Sequence, residues 1–164
     1  MSVAATRTLA LPGEAASEAL GAALAVALPV ARAATGTALV LALEGSLGAG
    51  KTTVARALLR ALGESGPVRS PSYTLLEPYE LADWHVRHLD LYRLGDPGEV
   101  QALGLRDELQ SGTLLLVEWP ERGLGQLPPA DLWLQLAEVE GGAGRSALLE
   151  ARTAAGMAWL AALP

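Results

Sequence analysis

The eight residues Gly45-Ser46-Leu47-Gly48-Ala49-Gly50-Lys51-Thr52 match the pattern G-x-x-x-x-G-K-[ST] in full, and their flanks restrict what can surround them. Ala38 to Leu43, just before, is a continuous apolar run of strand length, as expected of a strand buried on both faces. Thr52 to Leu62, just after, carries Val54, Leu58 and Leu62 at helical spacing. A buried strand, a glycine-rich turn and a helix in that order make a phosphate cradle. The glycines allow a turn tight enough to aim successive backbone N–H groups at one centre. The helix start adds the positive end of its dipole. Lys51 supplies a cation for β- and γ-phosphates, and the Thr52 hydroxyl a ligand for Mg²⁺. Of the twelve basic residues only Lys51 is lysine, so a composition that uses arginine everywhere else keeps lysine where the motif needs it.

The remaining pattern predicts one mixed α/β domain over residues 1–164. Arg7 to Leu11, Tyr73 to Leu81 and Val86 to Tyr92 read as strands, and Thr113 to Trp119 as a second strand of the buried type. Leu132 to Val139 and Ser146 to Arg152 read as strands joined by a hairpin connection. Helices are predicted over Glu14 to Leu28 and Met157 to Leu163, with a helical stretch from Glu99 to Leu109 interrupted at Gly104.

Eighteen acidic side chains against twelve basic ones give a net charge of −6, too little positive charge for a sequence-independent grip on DNA or RNA. Any nucleic acid is expected to reach the chain through a partner. The absence of cysteine excludes disulfides, a thiolate nucleophile and Cys-ligated metal. The longest uncharged run, Ala19 to Ala31, closes around Pro29 and falls short of the ~20 residues of a bilayer span, so a buried helix is expected rather than a membrane segment. Glu14 and Glu18 stand where a secretory signal needs positive charge. No targeting segment is expected, and the cytoplasm is the expected location.

A P-loop needs an acid near its metal, commonly at the end of a neighbouring buried strand. Glu118 ends the run Leu114-Leu115-Leu116-Val117, and Asp90 lies in His88-Leu89-Asp90-Leu91-Tyr92-Arg93. Asp83, His85, His88 and Asp90 are weak evidence for a separate metal site, since only residues two apart on a strand share a face. Arg69, Arg93 and Arg122 are each able to offset phosphate charge or simply to be solvated. Trp119 fits either stacking on a base or filling the core.

Taken together, the P-loop through Thr53, Ser70-Pro71-Ser72-Tyr73-Thr74-Leu75, His88-Leu89-Asp90-Leu91-Tyr92-Arg93 and Val117-Glu118-Trp119-Pro120-Glu121 resemble the TsaE (YjeE) family. The resemblance implies a single-domain α/β fold of P-loop NTPase type, with a mixed sheet flanked by helices. It implies an ATPase of tRNA threonylcarbamoyladenosine (adenosine 37) modification that drives turnover of the TsaB–TsaD complex and is slow without it. ATP, ADP and Mg²⁺ are then the ligands, and tRNA is met only through the partners. By the same resemblance Leu47, Gly48, Ala49, Gly50, Lys51, Thr52 and Thr53 bind phosphates. Thr52 and Glu118 hold Mg²⁺ and Asp90 works beside it, ordering the attacking water or a metal-bound water. Ser70–Thr74 and the stretch after Arg93 correspond to switch segments, while Gly144-Arg145 and Gly13 approach the nucleotide. Ser46, Ser72 and Leu89 depart from the common acid, threonine and phenylalanine of the family without touching a required ligand. A small-molecule kinase is the main alternative, and a nucleotide-gated binding protein with negligible hydrolysis a third.

Overall fold

A computed structural model describes residues 5–71 and 73–164; Ser72 of the Ser70–Thr74 motif and the first four residues of the expected domain lie outside them. The chain runs β1 (Ala5–Leu11), α1 (Glu14–Ala33), β2 (Leu39–Glu44), α2 (Lys51–Ala61), β3 (Leu76–Glu80), β4 (His85–Asp90), α3 (Gly98–Gln101), β5 (Thr113–Glu118), β6 (Leu132–Glu138), β7 (Arg145–Ala151) and α4 (Ala154–Ala161). Short 3-10 turns occupy Leu105–Glu108 and Pro120–Gly123. All seven strands form one sheet in the order β1-β7-β6-β2-β5-β4-β3. β2 pairs in parallel with β5 and β6, and β5 in parallel with β4. The hairpin strand β7 runs antiparallel to β6 and β1, and β3 antiparallel to β4. The expected α/β fold, a mixed sheet flanked by helices, is what the chain adopts.

The two apolar runs lie beside each other at the centre because each of their faces has something to bury. Leu39, Leu41 and Leu43 of β2, with Leu114 and Leu116 of β5, meet Leu24, Leu28, Leu58 and Trp159 from the helices. The alternate residues Val40, Ala42, Leu115 and Val117 meet Val100, Leu105 and Ala130 from the connecting segments on the other side. The first helical layer is tight. A Cβ at Gly21 would stand 2.4 Å from the carbonyl oxygen of Val54, so glycine lets α1 lie against α2 and brace the helix behind the P-loop.

Several element boundaries differ from the sequence reading, three of them by three residues or more. α1 does not close at Leu28 but runs through Pro29 to Ala33, because Pro29 faces outward while Leu28 and Ala31 are buried on either side of it. At twenty residues α1 is long and apolar enough to cross a membrane by length and composition, yet Leu20, Leu24 and Leu28 are buried in the core. β3 begins at Leu76 rather than Tyr73: Leu75 adopts φ 64°, a left-handed turn that no strand accommodates. α4 begins at Ala154, three residues early, because the Thr153 hydroxyl accepts the Gly156 N–H at 3.0 Å and caps the helix. The break at Gly104 occurs as expected and separates α3 from the following 3-10 turn.

Candidate nucleotide site

The P-loop connects the C-terminal end of β2 to the N-terminal end of α2, at the sheet edge where parallel strands gather polar groups. Gly48 and Gly50 hold φ of 78° and 105°, left-handed conformations that bend the loop back over the helix start. The Lys51 ammonium reaches back to the loop's own carbonyls, donating to Gly45 O at 2.5 Å and Ser46 O at 2.9 Å. Lys51 is buried, and this desolvation lowers its pKa below the ordinary lysine value although Glu118, Asp90 and Glu121 pull the other way.

Asp90 and Glu118 end neighbouring parallel strands and stand directly opposite each other in the β4–β5 register. One hydrogen-bonded chain joins them to the P-loop helix. Thr52 Oγ1 donates to Glu118 Oε1 at 3.1 Å. The Ser70 hydroxyl bonds Asp90 Oδ2 and lies 3.3 Å from Glu118 Oε2. Asp90 Oδ1 accepts the Tyr92 N–H at 3.0 Å, a side-chain turn that ends β4 and steers the chain across the site. β5 ends as sharply. Trp119 takes φ 58° before Pro120, which swings its ring to within 4.3 Å of the Lys51 ammonium. Tyr92 packs on Trp119 at a centroid separation of 4.9 Å.

These residues line two cavities that share the P-loop. A cleft of about 440 Å³ holds Leu47, Lys51, Thr52, Ser70, Asp90, Tyr92, Arg93, Glu118 and Trp119. On the other side of Gly48, Gly50 and Thr53 lies a smaller cavity of about 250 Å³, lined by Gly13, Glu14, Ser17, Ala49, Gly144 and Arg145. Arg145 reaches into the loop itself, donating to Gly48 O at 3.0 Å. Leu47 to Thr53, Asp90, Glu118, Gly13, Gly144 and Arg145, the residues that the family resemblance assigns to the site, therefore all fall on one cavity or the other. Trp119 belongs to the cleft wall, and its ring is engaged by Lys51 and Tyr92.

Thr52, Glu118 and Asp90 offer a hydroxyl and two carboxylates, hard oxygen donors of the kind Mg²⁺ takes alongside phosphate oxygens and water. Among the described residues no group of three or more His, Cys, Asp or Glu is placed to hold a metal. Asp83 and His85 lie apart from this corner: His85 pairs with Glu80, and only His88 turns to the site, toward Glu118. Glu14 and Ser17, at the start of α1, were not legible as site residues. The signal was a buried polar residue on the helix face carrying Leu20, Leu24 and Leu28, with Ser17 only 4% exposed.

A family model described as threonylcarbamoyl adenosine biosynthesis protein TsaE matches residues 11–147. A Haemophilus influenzae protein named tRNA threonylcarbamoyladenosine biosynthesis protein TsaE is 47% identical over 92 residues, covering 56% of this chain and 58% of that protein. Its namesake from Aquifex aeolicus is 39% identical over 94 residues, covering 56% of this chain and 62% of the relative. The chain thus matches somewhat more than half the length of these relatives. Among solved structures, that of Bacillus subtilis YdiB superposes with a TM-score of 0.76 at 25% identity, covering 98% of this chain and 95% of that one.

Proposed function

The chain belongs to the TsaE family, and on that premise we propose that it binds and hydrolyses ATP in tRNA threonylcarbamoyladenosine biosynthesis, driving turnover of a TsaB–TsaD complex in the cytoplasm. The observation that carries this reading is the hydrogen-bonded line Thr52–Glu118–Ser70–Asp90 beside the P-loop lysine. A site that only held phosphate would need the loop, its lysine and a helix end. Two carboxylates at register-matched strand ends serve a metal and a water as well.

Lys51 exchanges its bonds to Gly45 O and Ser46 O for β- and γ-phosphate oxygens, and the P-loop N–H groups bind the rest of the phosphate chain. Mg²⁺, when bound, neutralises charge on the β- and γ-phosphates. Thr52 and Glu118 are the residues placed to hold it, with Asp90 beside them. Asp90 orients a water for in-line attack and receives its proton as the new oxygen–phosphorus bond forms and the bond to the ADP oxygen breaks. The Ser70 hydroxyl takes one lone pair of Asp90 Oδ2 in the structure, and the water takes another. Gly13, Gly144 and Arg145 receive the nucleoside side of ATP in the smaller cavity. Movement of the loops around Ser70 and Arg93 then changes the surface a partner meets. With a net charge of −6 the chain leaves the tRNA to its partners.

The test is release of phosphate from ATP with and without TsaB and TsaD from the same organism. A slow rate accelerated by the pair is expected. An unchanged rate removes the coupling, and phosphate found on an added metabolite pool instead of in solution establishes the kinase alternative.

A further inference from the structure

His88 lies two residues before Asp90 on β4, on the same face of the strand, and pairs in register with Leu116. It is 0% exposed, and Val86, Leu114 and Leu116 of the same layer are as fully buried. A strand position in such surroundings is ordinarily filled by an aliphatic side chain. Among the described residues the imidazole has one polar contact: Nε2 stands 2.6 Å from Glu118 Oε2. Nδ1 is buried with no hydrogen-bond partner among the described residues. With a carboxylate oxygen as its partner, Nε2 is the nitrogen that carries the hydrogen. A half-satisfied imidazole in a core destabilises the fold, so its presence calls for a function.

That function is visible in how Glu118 is held. The carboxylate is 2% exposed and its Oε1 accepts the Thr52 hydroxyl, while Oε2 is gripped from inside the sheet by His88. Ser70, the third neighbour, stands farther off at 3.3 Å and also serves Asp90. We propose that His88 is a positioning residue, whose Nε2–H fixes the Glu118 carboxylate so that it presents one constant edge to Mg²⁺ beside Thr52. The inference rests on the metal–nucleotide reading of the site. Hydrogen-bond donors behind a metal-side carboxylate set its orientation, and losing one lowers metal affinity about 10–100-fold.

Mn²⁺ binding with ADP, read by electron paramagnetic resonance, tests the role without hydrolysis. It is compared in wild type, His88→Leu, His88→Gln and His88→Asn, with thermal unfolding and metal-free ADP affinity measured for each. A glutamine amide reaches as far as Nε2, whereas an asparagine amide stops near Nδ1. The expected result is a loss of roughly ten- to a hundredfold in Mn²⁺ affinity for His88→Leu and His88→Asn. Metal-free ADP affinity stays unchanged and His88→Gln recovers most of the loss. Should His88→Leu fail to fold, the Gln–Asn pair decides. Wild-type Mn²⁺ affinity in His88→Leu, or Gln no better than Asn, overturns the inference. Failure of the wild type to take up Mn²⁺ with ADP overturns the metal–nucleotide reading and the inference with it.

Discussion

The Lys51 ammonium stands 4.3 Å from the centre of the Trp119 ring while donating to two carbonyls of its own loop. On the proposed function nucleotide phosphates compete for that ammonium, and their binding would alter the surroundings of the indole. Addition of ATP is expected to change tryptophan emission, and Trp119→Phe to abolish the change, since Trp84, Trp133 and Trp159 are all buried elsewhere. Lys51→Ala removes a charge-assisted contact worth about 1.5–3 kcal/mol and should weaken ATP binding by roughly ten- to a hundredfold in titration calorimetry.

Asp90 and Glu118 share Ser70, and the proposed function gives them different tasks that their amide variants should separate. Asp90→Asn leaves the loop and Glu118 in place, so ATP and Mg²⁺ binding should persist while kcat falls by roughly 10²–10⁴. Glu118→Gln keeps a partner for Thr52 but loses the charge facing the metal, so the Mg²⁺ needed for half-maximal rate should rise as kcat falls. Steady-state rates across a Mg²⁺ series distinguish the two. Identical profiles for the two variants would contradict the division of roles.

Much of this site was legible in the chain because its parts depend on local chemistry. Gly45 to Thr52 needs particular residue types in consecutive positions, and the runs ending at Leu43 and Glu118 announce strands buried on both faces. What escaped reading depended on contacts distant in sequence. Pro29 signals a helix end, but buried Leu28 and Ala31 carry α1 beyond it. Ser17 comes to line the smaller cavity only when α1 folds against the loop. His88 looked like a weak metal ligand because its spacing shows which face it is on, and not that Glu118, thirty residues later, waits on that face.

Three arginines were open as phosphate-charge partners, and the fold separates them. Arg93 lines the cleft with Lys51, Asp90 and Glu118, its guanidinium 5.4 Å from the Tyr73 ring. Arg122 stacks outside that wall, 5.2 Å from Tyr92 and 5.5 Å from Trp119, and Arg69 does not line it. Arg93→Ala is therefore expected to lower kcat with little effect on ADP affinity, and Arg69→Ala to do neither. Binding of ADP with aluminium fluoride, a mimic of the transferring phosphoryl group, should weaken in the Arg93 variant alone. Equal binding in both variants would return Arg93 to the solvated surface.

Asp131 gives a pH dependence that belongs to the scaffold rather than the site. Its Oδ2 accepts the Val40 N–H at 2.8 Å and its Oδ1 the Thr153 hydroxyl at 2.7 Å, tying β2 to the cap of α4. Burial raises its pKa above the ordinary carboxylate value, and the two hydrogen bonds offset that only in part. In the window between the unfolded and the raised folded value, the native state holds more protons than the unfolded state. The stabilising contribution of Asp131 is thus complete below the unfolded pKa and is lost as pH rises through the folded one. Urea midpoints measured from about pH 4 to about pH 7 should therefore fall more steeply, or rise less, in the wild type than in Asp131→Asn. Glu121, also raised by burial, and Glu80, lowered chiefly by its hydrogen bond with His85, are present in both proteins and cancel in the difference. A wild-type-minus-variant difference constant across that range would show that Asp131 titrates alike in the folded and unfolded chains.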